Sequence, residues 1–178
     1  MILLTSEDYI KTNSNLSDNV FGKSLLPAIR EAQDIYLQTF IGTCLYEKFM
    51  ELVDTEDIDL TENVQYKDLL DDKIQPFLLY QTISCIIPVL NVKLANYGAS
   101  VANDQYLVGL SQKDADLLKN FYEDKTNFYA KRMQNFLKTN RDSFPELECG
   151  CSEDLKPHLD DSARSPIFLG GIRGRKVH

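Results

Sequence analysis

Tryptophan is absent, and only two histidines occur, His158 and His178. No G-x-S-x-G, H-E-x-x-H or P-loop pattern occurs, so hydrolase, zinc-protease and nucleotidase readings have no motif to stand on. Glycine is scarce, at eight residues. The one stretch that gathers it, Gly170-Gly-Ile-Arg-Gly-Arg-Lys176, leaves two residues after the lysine. No helix can follow there to complete a phosphate cradle. No run of about eighteen apolar residues exists, so no membrane span is expected. Met1-Ile-Leu-Leu stops at polar Thr5-Ser-Glu-Asp8, so no signal peptide is expected either. The four cysteines are accordingly expected to be reduced thiols.

What remains is helical and acidic. The 178 residues suffice for one self-supporting core. All 27 acids lie in residues 1–163 beside 15 Lys and Arg, a net charge of −12. Residues 164–178 hold Arg164, Arg173, Arg175 and Lys176 and no acid, a net charge of +4. An acidic body argues against adhesion to nucleic acid, which needs phosphate neutralisation. A basic tail suits an acidic partner, including another copy of the same body.

The chain is built around residues 24–53. Leu25, Leu26, Ile29, Ala32, Tyr36 and Phe40 share one helical face. Gly42 breaks the helix, Thr43 is placed to cap the next one, and Leu45, Tyr46, Phe49, Met50 and Val53 continue the helical spacing. Periodicity alone makes this stretch plain core. Before it, Thr5-Ser-Glu-Asp8 resembles a capping box. After it, residues 54–63 form an acidic loop containing Asp54, Glu56, Asp57, Asp59 and Glu62 and no base.

Helical segments are expected at 64–70 and 73–96, with Pro76 in a first turn and Pro88 as a kink. The second is apolar on more than one side, as befits a central helix or a subunit contact. A small β-hairpin is expected near 97–109. Ser111-Gln-Lys-Asp114 opens a long helix to about Arg141, a rod of roughly 45 Å. Leu117, Leu118, Phe121, Tyr122, Lys125, Phe128, Tyr129, Arg132, Met133, Phe136 and Leu137 mark its expected buried stripe. The fold class is therefore mainly α: a helical bundle with one long C-terminal helix. Residues 1–148 form the helical domain, and 149–178 an extended basic arm.

No catalytic or cofactor-binding residues are expected. Cys149, Cys151 and His158 are the best metal candidate, but they supply three of the four ligands zinc takes, at a tight C-x-C spacing. Unmodified thiols are the expectation, with no metal and no cofactor. In the arm, Ile167-Phe168-Leu169 is a lone apolar cluster followed by Arg173, Arg175 and Lys176. It reads either as a tail left in water or as a segment that docks on a neighbour.

Several stretches carry a resemblance: Ser6-Glu-Asp-Tyr-Ile-Lys11, Leu26-Pro-Ala-Ile-Arg-Glu-Ala-Gln-Asp34, Phe40-Ile-Gly-Thr-Cys-Leu-Tyr-Glu-Lys48, Ile74-Gln-Pro-Phe-Leu-Leu-Tyr80, Asn96-Tyr-Gly98, and Phe136-Leu137 with Asn140 and Phe144-Pro145. In order and spacing they resemble the head–tail connector (adaptor or ring) proteins of tailed bacteriophages, as in gut crAss-like phages. The similarity spans about residues 6–146 and leaves the arm uncovered. The resemblance implies a non-enzymatic virion protein at the head–tail junction, assembled in the host cytoplasm. It implies a homo-oligomeric ring, usually twelvefold, beneath the portal protein. Such a ring contacts the next tail or ring protein and passes double-stranded DNA without reading its sequence. Within such a ring, lumen or portal contact is the role expected of Asp54, Glu56, Asp57, Asp59 and Glu62. The basic arm leaves an alternative, a DNA-binding or packaging regulator acting through it. A small metal-dependent enzyme is the third reading.

Overall fold

The computed structural model describes residues 2–16, 20, 22–95, 98–101, 111–148 and 155–159. It is mainly α, with a long C-terminal helix. Helix α1 (Glu7–Thr12) starts at Ser6, whose hydroxyl accepts the Tyr9 N–H at 3.1 Å. The cap is thus Ser6, while Thr5 is buried.

Helix α2 (Gly22–Glu31) passes into a π-helical segment, Ala32–Leu37, and then into α3 (Gln38–Ile41). The extra residue in a π turn advances the inward face. Leu25 and Ile29 are buried before it, Ala32 and Leu37 at its two ends, and Phe40 and Ile41 after it. Leu26, expected inside, is exposed.

Helix α4 (Thr43–Asp54) follows directly. Two short 3₁₀ turns, Asp57–Asp59 and Thr61–Asn63, carry the acidic loop into α5 (Val64–Leu69). A second π segment, Leu70–Ile74, joins α5 to α6 (Gln75–Asn91), so the two helices expected here are one rod. The reason lies at Pro76, which has no N–H and crowds the carbonyl four residues back. Upstream of it, the Gln75 N–H reaches five residues back to the Leu70 carbonyl. The π turn thereby accommodates the proline without ending the helix.

Pro88 marks the last turn of α6, which stops at Asn91. The hairpin comes earlier than expected: β1 (Val92–Ala95) pairs antiparallel with β2 (Gly98–Val101), Val92 opposite Val101. Residues 102–110, where its remainder was expected, lie outside the described residues.

Two core clusters lie along α6. One gathers Leu37, Phe40, Leu45 and Phe49 with Ile74, Phe77 and Leu78, and with Met133, Leu137 and Phe144. The other gathers Ile10, Leu25 and Ile29 with Leu79, Ile83, Ile86 and Ala115. Every residue from Gln81 to Ile87 is buried, so α6 is the central helix. By length and composition the rod Thr61–Leu90 could cross a membrane, but 61% of its apolar window is buried inside the bundle. That is the pattern of a core helix.

Helix α7 (Gln112–Thr139) spans about 42 Å at 1.5 Å per residue. Ser111 caps it as expected, accepting the Asp114 N–H at 3.2 Å and donating to the Asp114 carboxylate at 2.6 Å. Asn140 closes it, its side chain donating to the Phe136 carbonyl at 2.9 Å.

Candidate assembly interface

The expected stripe of α7 holds in part: Met133 and Leu137 are buried and Tyr122, Tyr129 and Phe136 pack on the core, but Leu117, Leu118, Phe121 and Phe128 do not. The inward residues of α7 are Ala115, Thr126, Ala130, Met133 and Leu137. Three of these are small, which lets α7 lie close against α6. Leu117 is 59% exposed, Phe121 53% and Phe128 60%, and Leu118 is exposed too. On a wheel of 3.6 residues per turn, Leu117, Phe121 and Phe128 fall within about 40° of one another and roughly opposite Thr126. They therefore point away from the bundle, and among the described residues none covers them. Periodicity found both faces and merged them into one stripe, because it weighs bulk and not direction.

Cations are interleaved with this face. The Lys125 ammonium lies 4.3 Å from the Phe121 ring centroid, 5.1 Å from Tyr80 and 5.3 Å from Tyr122. Arg132 sits 5.9 Å from the Phe128 ring and 5.6 Å from Tyr129. Tyr80 of α6 stacks between Tyr122 and Tyr129, at 6.4 and 5.5 Å. The stack fixes the root of the face, and the cations border it. From Lys125 to Arg141 the chain carries five basic residues and no acid.

The acidic loop is built as a rigid turn. Glu56 takes a left-handed conformation (φ 59). Ile58 packs into the first core cluster, and the Asn63 side chain donates to the Asp57 carbonyl at 2.8 Å. Asp59 pairs with Lys67, so the loop is not wholly without a base. Asp54, Glu56 and Glu62 are exposed. Leu60 and Val64 stand beside them, 45% and 47% exposed. Nearby Asp71 has its carboxyl pushed up, first by burial and then, against the pull of Lys67, by Asp59, Asp72 and Asp68.

The break at Gly42 is held by the far end of the chain. Residues 155–159 run across it as a strap. The Thr43 N–H, an unpaired donor at the start of α4, donates to the Leu155 carbonyl at 3.0 Å. The Phe40 carbonyl accepts the His158 N–H, also at 3.0 Å. Gln134 of α7 donates to the His158 carbonyl at 3.0 Å, and Leu159 packs on the core. Thr43 is thus not a cap but the first helical residue, buried and bonded to the strap.

A second polar knot holds the N-terminal segment. Buried Gln33 accepts the Leu4 N–H at 2.8 Å and donates to the Tyr46 hydroxyl at 3.0 Å. Tyr46 donates to Asp34 at 2.6 Å. Burial, and then the Asp34 carboxylate, push the Tyr46 hydroxyl up to about 12.

The cysteine expectation is corrected at one position. Cys44, in the first turn of α4, is disulfide-bonded. Chain spacing concealed this, because the chain has returned to this corner by Leu155. Cys85 is a free, buried thiol whose pKa burial pushes up to about 12, which makes it unreactive. Cys149 and Cys151 lie outside the described residues, as do Ile167, Phe168, Leu169, Arg173, Arg175 and Lys176. Among the described residues no group of His, Cys, Asp and Glu is placed to hold a metal ion.

No curated protein and no solved structure matches the chain. Residues 37–155 match a family of unknown function (DUF6712). The matched span contains the Gly42 break, the acidic loop and all of α7. Since it covers more than half of the chain, the protein belongs to this family.

Proposed function

We propose that the protein is a structural subunit of a head–tail connector ring in a tailed bacteriophage, seated below the portal and extending the DNA channel. The observation that carries the reading is the outward apolar face of α7. A helix of about 42 Å that buries one side in its own bundle and leaves Leu117, Phe121 and Phe128 exposed is suited to be a stave between neighbours. An apolar patch of this kind marks a contact surface more often than free surface. The resemblance in order and spacing across residues 6–146 points the same way. A net charge of −8 suits a wall past which DNA slides without sticking.

The test is assembly with the portal protein of the same phage. The expected product is an annulus of this protein in register with the portal ring, seen by electron microscopy. Monomers that leave the portal bare at saturating concentration overturn the reading. The alternative, a packaging regulator acting through residues 164–178, rests on the +4 charge of that stretch. It requires DNA binding that falls steeply with salt and disappears when 164–178 is removed.

A further inference from the structure

Two patches on this molecule are complementary to each other and not to themselves. The first is the outward face of α7: Leu117, Phe121 and Phe128, flanked by Lys131 and Arg132. Neither Lys131 nor Arg132 has an ion-pair partner among the described residues, whereas Lys119 of α7 pairs with Glu123. The second is the acidic turn, Asp54, Glu56 and Glu62 around exposed Leu60 and Val64. Each patch has an apolar centre and a charged border, acidic at the turn and basic beyond Phe128 on α7, with exposed Asp124 the acid one turn before Phe128. Each is held rigidly, the first by the Tyr80 stack and the second by Ile58 and the Asn63 bond.

Ile58 packs on the core cluster that holds Ala130, Met133 and Leu137, so the turn and the Phe128–Arg132 end of the α7 face share one cluster, while Ala115 and Tyr122 near the start of that face belong to the other. A head-to-tail contact needs two different patches per subunit, and it closes into a ring when successive copies stay level. Both patches also lie within residues 37–155, the span shared with the family.

We infer that the α7 face of one copy docks on the acidic turn of a second copy, Phe128 against Leu60 and Val64, with Lys131 and Arg132 facing Glu56 and Glu62. This rests on the ring reading and names its contact. The α7 face supplies cations and rings, and the turn supplies carboxylates and aliphatic side chains. Like-charged encounters, face to face or turn to turn, are disfavoured, which sets the direction of the chain of subunits. Residues 160–178 are the competing occupant of the α7 face, and nucleic acid the competing partner of its cations.

The experiment is sedimentation of the full chain at low salt up to about 1 mM. One variant carries Lys131→Glu and Arg132→Glu, and another carries Glu56→Lys and Glu62→Lys. Circular dichroism and the thermal midpoint check that both remain folded, and an unfolded variant is replaced by the milder Gln pair at the same positions. Wild type is expected to self-associate. Each variant alone is expected to lose at least about tenfold in association. An equimolar mixture is expected to regain it, because the reversed face of one meets the reversed turn of the other.

Association unchanged in either variant overturns the inference and leaves the ring reading standing. So does loss in each without recovery on mixing. Association that survives both reversals but vanishes on removal of residues 160–178 assigns the face to that segment instead. Reversals that abolish DNA retention and spare self-association assign the cations to nucleic acid. A wild-type protein that is monomeric throughout overturns the inference, whereas the ring reading falls only when the portal also stays bare.

Discussion

At Gly42 the backbone takes φ 84 and ψ 157, a region that only glycine enters without strain. A Cβ there would stand 2.8 Å from the ring and nitrogen of Pro157. Gly42→Ala therefore costs about 1–3 kcal/mol from backbone strain, and it pushes the strap off the ends of α3 and α4. Gly42→Val adds branching and should cost more. Urea unfolding measures the loss, and faster proteolysis beyond residue 148 reports the freed strap. A Gly42→Val protein with unchanged stability contradicts this account of the break.

Tyr66 makes a second prediction at the same scale. Its hydroxyl donates to the Glu146 carboxylate at 3.0 Å, and burial followed by that carboxylate pushes it up to about 12. The folded state holds this proton more tightly than the unfolded chain, whose tyrosine titrates near 10.0. The stabilisation is complete below pH 10 and is lost as pH rises toward 12. Tyr66→Phe should cost about 1–2 kcal/mol at pH 8. It should also flatten the loss of stability between pH 10 and 12, read from urea midpoints across that range. Tyr46 shares the direction and the window, with Asp34 as its carboxylate.

Helix α7 shows why an element can be foreseen and its orientation misjudged. At the α6 contact its residues are small, so enlarging one should hurt. Ala130→Leu overpacks that contact and should cost about 1–3 kcal/mol. Phe128→Ser removes a large side chain from water and should change monomer stability by no more than about 0.5 kcal/mol. The merged stripe predicts the reverse order, and thermal unfolding of the two variants decides.

The helix itself was legible, because Ser111 and Asp114 form a cap that needs only local chemistry. So were the break at Gly42 and the core spacing of Leu45, Tyr46 and Phe49. The two π segments were not, since the one-residue shift each introduces is hidden within the ordinary mix of three- and four-residue spacings. The strap was not legible either. Its bonds to Phe40 and Thr43 join residues more than a hundred positions apart through backbone atoms, which carry no sequence signal. The acidic loop was seen as charge, but its rigidity comes from Ile58 and Asn63, which look like ordinary loop residues.

At the scale of the whole molecule, charge and apolar exposure are segregated among the described residues. The turn between α4 and α5 is acidic, the second half of α7 is basic, and each has exposed apolar side chains beside its charges. A monomer gains nothing from that arrangement, because its carboxylates repel one another and its rings stay in water. In an assembly the two surfaces compensate. Self-association should accordingly weaken as salt rises through about 0.5 M, where the screening length falls to a few ångströms. It should persist in part, because Phe121 and Phe128 contribute an apolar component that salt does not screen. Light scattering against salt concentration reads both effects.

The most direct test of the proposed connector role is electron microscopy of the full chain mixed with the portal protein encoded beside it. The account predicts a closed annulus of this protein continuing the portal channel, with the long α7 helices lying between neighbouring subunits. A portal that stays bare beside a monomeric protein contradicts it.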